Sequence, residues 1–150
     1  MPESFRTPDV VPATDTAVVV VHCSDPRYQP HFQNFLHGSL TLVRYALIAV
    51  PGGVQFLTAD DEPASIAQQG WRWMKFMQEV AKAQRVILIG HDDCRWYFGL
   101  GFSQDTARVR ARIIRDLVSV HAGLLERFPA LSVESYFAAL DGDTAEIHPL

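Results

Sequence analysis

Two cysteines and one histidine stand where a single chain can bring them together. Cys23 opens the run Cys23-Ser24-Asp25-Pro26-Arg27, and His91-Asp92-Asp93-Cys94 follows much further along. Two thiolates and one imidazole are a donor set that zinc favours, and three protein ligands leave a fourth position open for water or substrate. The two thiolates also neutralise the dication. The short His-x-x-Cys spacing lets both side chains converge from one loop. Asp25 can accept a hydrogen from a water and fix its orientation, while Arg27 holds Asp25 by a bidentate pair and keeps it ionised. Released by Arg27, Asp25 can swing onto the metal and fill the open position. Each fragment has a plainer account alone: a lone cysteine is a small buried hydrophobe, and an isolated Asp-x-Arg is a structural ion pair. Only the metal reading uses all five residues at once.

Elements that can position such a cluster are present on both sides of it. Ala17 to Val21 is a continuous β-branched run, as expected for a strand buried on both faces. A second strand is predicted from Leu40 to Val50, ended by Pro51-Gly52-Gly53, and a third from Arg85 to Gly90. Between them, Asp60-Asp61-Glu62-Pro63 predicts a helix start with acidic residues at the cap and proline in the first turn. In that helix Ile66, Gly70, Trp73, Met77 and Val80 follow helical spacing. Trp71, Met74 and Lys75 fall off the stripe, which points to a second apolar face covered by a partner. After a loop rich in glycine and aromatics, Val109, Ile113, Leu117, Val120, Leu124 and Phe128 mark one face of a long helix. Leu131 to Leu140 is the last predicted strand, followed by the turn Asp141-Gly142-Asp143.

Alternating strands and helices predict a single α/β domain, with a mainly parallel sheet of about four to five strands flanked by helices. Ligands in such sheets sit beyond the carboxyl ends of the strands, where both cysteines fall. Residues 1–16, with three prolines and no apolar period, read as an irregular arm ahead of a domain over 17–150. The 150 residues suit one core. A net charge of -4, with both signs mixed along the chain, argues against a nucleic-acid partner. The amino terminus lacks the pattern of a signal peptide. The apolar run Leu42 to Val50 is broken by Arg44 and too short for a bilayer. A cytoplasmic protein with reduced cysteines and no membrane partner is the expectation.

The pairing of Cys-x-Asp-x-Arg with a later His-x-x-Cys resembles the β-carbonic anhydrase family, and the resemblance runs from Val18 onward. It implies Zn2+ held by Cys23, His91 and Cys94, with Asp25 and Arg27 as the catalytic dyad. The implied reaction is reversible hydration of carbon dioxide to bicarbonate by a zinc-bound hydroxide that the dyad orients. In part of this family Asp25's counterpart becomes a fourth ligand in a closed state, and the residues here permit that. A homodimer or higher homo-oligomer is also implied.

Several positions depart from the family pattern. Arg95 stands where a glycine usually follows the second cysteine, and glycine permits backbone geometry that arginine does not. Arg44-Tyr45-Ala46-Leu47-Ile48 replaces an Arg-Asn-Ala-Gly-Asn stretch, and the glutamine ahead of the first cysteine in plant-type members has no obvious counterpart. These changes touch the pocket wall, not the ligands. They leave two alternatives: a related zinc hydrolase acting on carbon disulfide or carbonyl sulfide, or a non-catalytic relative with a structural or sensing zinc. The aromatic loop Trp96 to Phe102 reads either as the lining of an apolar pocket or as a hydrophobic plug.

Other residues carry less. Arg108, Arg110, Arg112 and Arg115 are scattered around a helix and read as a solvated face. His22 precedes a ligand on a strand and is expected to point away from it. Tyr28, His31 and His37 serve as proton carriers only if the chain near Pro30 folds over the site. Trp71 and Trp73 are assigned to the core or to a dimer interface.

Overall fold

The computed structural model describes residues 4–8, 17–60 and 63–150. Residues 4–8 form no helix or strand; the rest of the expected arm lies outside the described residues. Strand β1 (Val18–Cys23) is buried at every position. Its sequence is apolar on both faces because it lies between two neighbours, β2 (Ala46–Val50) and β3 (Arg85–His91). The sheet continues through β4 (Ser132–Asp141) to β5 (Thr144–Pro149), in the order β2-β1-β3-β4-β5. Pairings among β1 to β4 are parallel, and β5 returns antiparallel to β4.

Helices cover the two faces. The short α1 (Gln29–Asn34), continued by a π-helical turn over Phe35–Ser39, packs Phe32 and Leu36 onto Val18, Val20, Ile87 and Ile89. On the other face lie α2 (Ala64–Glu79), α3 (Arg95–Gly99) and α4 (Thr106–Arg127). Helix α4 begins at Asp105, whose carboxylate accepts from the Arg108 amide at 2.8 Å. It buries Val109, Ile113, Leu117, Val120 and Leu124, the stripe read from the sequence. Gly90 lets that helix approach β3: a Cβ there would sit 2.7 Å from Leu117 Cδ1 and 2.8 Å from Ile113 Cγ2.

Three expectations about the elements are corrected. The second strand begins at Ala46, not Leu40. Leu40 and Leu42 instead donate their amides back to Phe35 and Leu36, and Thr41 has φ +53°, so the chain cannot extend until it pairs with Val19. The buried face of α2 is Ala67, Gly70 and Met74, because Gly70 lets the helix press onto Phe56 and Leu57. The predicted stripe shares only Gly70 with that face; Ile66, Trp73 and Val80 are 40%, 41% and 63% exposed. Pro63 sits at the cap and not within the first turn, while Asp61 and Glu62 lie outside the described residues.

The arginines of α4 are not simply a solvated face. Arg110 pairs with Asp92, and Arg112 and Arg115 pair with Asp116, which is buried and also accepts from the Tyr97 hydroxyl. Arg115 also reaches Asp60 at 2.8 Å, and periodicity alone gave no sign of Asp60 or Asp92, which lie 55 and 18 positions from their arginines. The hairpin strand β5 and the short helices α1 and α3 also escaped sequence reading. Helices α1 and α3 are too short for a helical period to show, and β5 lacks the continuous apolar run that marks β1 and β3.

Candidate metal centre

Strands β1 and β3 deliver Cys23 and His91 to the same end of the sheet, since His22 pairs with Ile89 in parallel register. Cys23 continues the face of Val19 and Val21, whereas His91 continues that of Ile87 and Ile89. Cys94 arrives from the turn that leads into α3. The three side chains are buried, and their ligand atoms lie within 4.8 Å of one another. Cys23 Sγ and Cys94 Sγ are 3.9 Å apart, against about 3.8 Å for two thiolates on one tetrahedral zinc with Zn–S of about 2.3 Å.

The imidazole is the most informative of the three. His91 Nδ1 lies 2.6 Å from the Asp92 carbonyl, an acceptor only, so Nδ1 carries the hydrogen and Nε2 keeps its lone pair. That Nε2 is buried with no hydrogen-bond partner. A buried unpaired acceptor is costly, and a cation between the sulfurs satisfies it. The thiols point the same way. The hydrogen bond between the two thiols draws Cys23 well below the ordinary thiol value and pushes Cys94 above it. As a pair they carry one negative charge readily and resist the second, which a cation relieves. The donor set fits a zinc ion.

Asp25 and Arg27 flank this cluster. Arg27 Nη2 reaches Asp25 Oδ2 at 2.7 Å, Nε reaches Oδ1 at 3.1 Å, and the Arg27 amide reaches Oδ1 at 3.0 Å. Those bonds hold the Asp25 carboxyl below the usual carboxylate range. Three donors against about four lone-pair sites leave Asp25 roughly one free acceptor position. Arg27 also reaches Asp93, a residue sequence reasoning passed over, with its Nη1 on the carboxylate at 2.5 Å and Nη2 on the carbonyl at 2.8 Å.

A pocket of about 400 Å³ opens beside Cys23, lined by Asp25, Pro26, Arg27, Pro51, Arg95 and Trp96 among others. Arg95 is the first residue of α3 and takes helical backbone; the left-handed turn falls two residues earlier, on Asp93, at φ +52°. No glycine is required after Cys94. Trp96 lies on Gly52, which has φ +77° and no room for a Cβ, and donates its indole N–H to buried Gln55 at 3.0 Å. The aromatic segment therefore divides. Trp96 lines the pocket, while Tyr97, Phe98, Leu100 and Phe102 pack into the core.

Among the other residues singled out, His22 points away from Cys23 and lies 4.6 Å from the Phe32 ring. The chain near Pro30 does fold over the site: the Tyr28 ring sits 4.1 Å from His91, with its hydroxyl buried and unpartnered. His31 is 6.1 Å from Tyr28, while His37 pairs with Tyr45 instead. Trp71 donates to the Leu57 carbonyl, and Trp73 lies half-exposed beside Phe56.

The sheet order, the helices and the strand-end site together have the fold of the β-carbonic anhydrases. Among solved structures, carbonic anhydrase from Streptococcus mutans superposes with a TM-score of 0.61 at 12% identity, covering 95% of this chain and 87% of that one. Carbonic anhydrase from Glaciozyma antarctica gives 0.55 at 17% identity, over 91% and 85%. One of two tetrameric β-carbonic anhydrases from Sordaria macrospora gives 0.53 at 14%, over 90% and 80%. No family model matches the sequence, and no curated protein matches it.

Proposed function

We propose that this chain is a divergent β-type carbonic anhydrase, in which Cys23, His91 and Cys94 hold zinc and Asp25 and Arg27 form the catalytic dyad. The observation that carries the reading is the buried, unpartnered His91 Nε2 beside two thiols, with the dyad lining a pocket that opens at Cys23. Zinc held there supplies a Lewis acid that brings the ionisation of water to about neutral pH. The protein's own residues do the rest. Asp25 offers its remaining acceptor site to a water and sets its direction; Arg27 keeps that carboxylate charged. Pro26, Pro51 and Trp96 give carbon dioxide an apolar wall. The Asp92 carbonyl fixes the tautomer of His91.

Reduced thiols suit a cytoplasmic setting, and no described helix is long and apolar enough to cross a membrane. Exposed Trp73, Phe76 and Val80 on α2 offer a second copy an apolar face. The test is stopped-flow carbon dioxide hydration on protein of known zinc content. Activity proportional to zinc is expected, and Asp25→Asn is expected to lower the rate roughly a hundredfold with zinc retained. Stoichiometric zinc with no hydration would reject the reading.

One observation favours a second substrate for the same site. The pocket volume and the indole wall of Trp96 accept a larger apolar triatomic, carbon disulfide or carbonyl sulfide. Sulfide release in a parallel assay separates the two.

A further inference from the structure

We propose that Asp93 is the positioning residue of the Asp25–Arg27 pair, holding the Arg27 guanidinium where it keeps Asp25 away from the fourth metal position. This rests on the zinc reading above, but it concerns which group occupies that position and not the substrate.

A guanidinium has five N–H donors in a rigid fork. In this structure they divide without competition. Nε and Nη2 face Asp25, while Nη1 takes the Asp93 carboxylate and Nη2 also takes the Asp93 carbonyl. Arg27 therefore does not have to release one carboxylate to hold the other. The Arg27 side chain is 37% exposed, against 8% for Asp25. With Asp25 alone as its anchor, a long, half-exposed side chain gains rotamer freedom by letting go. A second anchor on the opposite edge removes that freedom.

The backbone of Asp93 serves the same end. At φ +52° it is left-handed, a region where Asp is enriched among non-glycine residues, and this turn brings both its carbonyl and its carboxylate onto Arg27. Asp93 also lies between His91 and Cys94. The bridge therefore ties the loop that bears two ligands to the loop that bears Cys23 and Asp25. The adjacent Asp92 does not compete for Arg27, because Arg110 engages both its oxygens at 2.7 and 2.6 Å and the Leu140 amide donates to it at 2.9 Å.

The experiment uses the full chain loaded with cobalt(II) and titrated with azide, reading the visible d–d bands. Azide needs the fourth position, and Asp25 on the metal excludes it. The wild type is expected to bind azide. Asp93→Gly keeps the left-handed backbone and removes the carboxylate; it is expected to weaken azide binding roughly fivefold, the scale of one half-exposed charge pair. Asp93→Asn retains an acceptor and is expected to fall between. In the Asp25→Asn background, adding Asp93→Gly is expected to change nothing further. Wild-type affinity in Asp93→Gly would overturn the proposal. So would a loss in Asp93→Gly that persists when Asp25 is already Asn, or a wild type that refuses azide. Azide behaviour as expected with no carbon dioxide hydration would instead reject only the substrate reading.

Discussion

His91 is oriented by its own loop: the Asp92 carbonyl takes the Nδ1 hydrogen, and the Tyr28 ring covers one face. What remains is a lone pair on Nε2 that no protein group meets. On the proposed reading Cys94, at the cap of α3, is the third ligand, so its removal leaves a two-ligand site. Cys94→Ser is expected to weaken zinc binding by more than about a hundredfold, beyond the usual effect of an outer-sphere change. Competition with a chromophoric chelator reads it directly; full occupancy in that variant would refute the ligand assignment. At this scale the cluster of Cys23, His91 and Cys94 was legible in the sequence, because residue types and spacing are local properties. Asp93 was not, because its role depends on Arg27, which lies 66 positions away.

At the level of elements, the site depends on how closely α4 packs against β3. Gly90 immediately precedes His91, and Leu117 and Ile113 occupy the space where its side chain would be. Gly90→Ala is expected to cost about 1–3 kcal/mol by overpacking, measured by urea unfolding of the metal-free protein. An unchanged midpoint would mean that α4 yields without cost. Helix α4 was readable because about six turns of one period average out exceptions, and β1 and β3 because each is a continuous apolar run; all three fell where their apolar patterns placed them. In α2 the period was right and the face was wrong. Trp73 and Val80 outweigh Ala67 and Gly70 by size, yet the small residues face the core because Phe56 and Leu57 already fill it.

Among the described residues, α2 and its C-cap carry an apolar band, with Phe76 and Val80 53% and 63% exposed beside Trp73, and β2 is an edge strand on which Leu47 is exposed. Bands of this kind mark contact surfaces. The protein is expected to sediment as a dimer or larger, and the double change Trp73→Glu with Phe76→Glu is expected to yield monomer with its unfolding midpoint in urea little changed. A monomeric wild type would leave the band without a second copy.

The sequence by itself determined the α/β alternation and placed two cysteines, a histidine and an Asp-x-Arg run at strand ends, since residue type, short spacing and apolar period are all written locally. Only the tertiary structure decided which atoms meet. It fixed the His91 tautomer through Asp92, placed Asp93 on Arg27, set Trp96 against Gly52 beside the pocket, and turned the large side chains of α2 outward. The physical reason is the same in each case. A hydrogen bond or a packed face depends on the partner's position in space, and strand register and helix approach set that position across long stretches of chain.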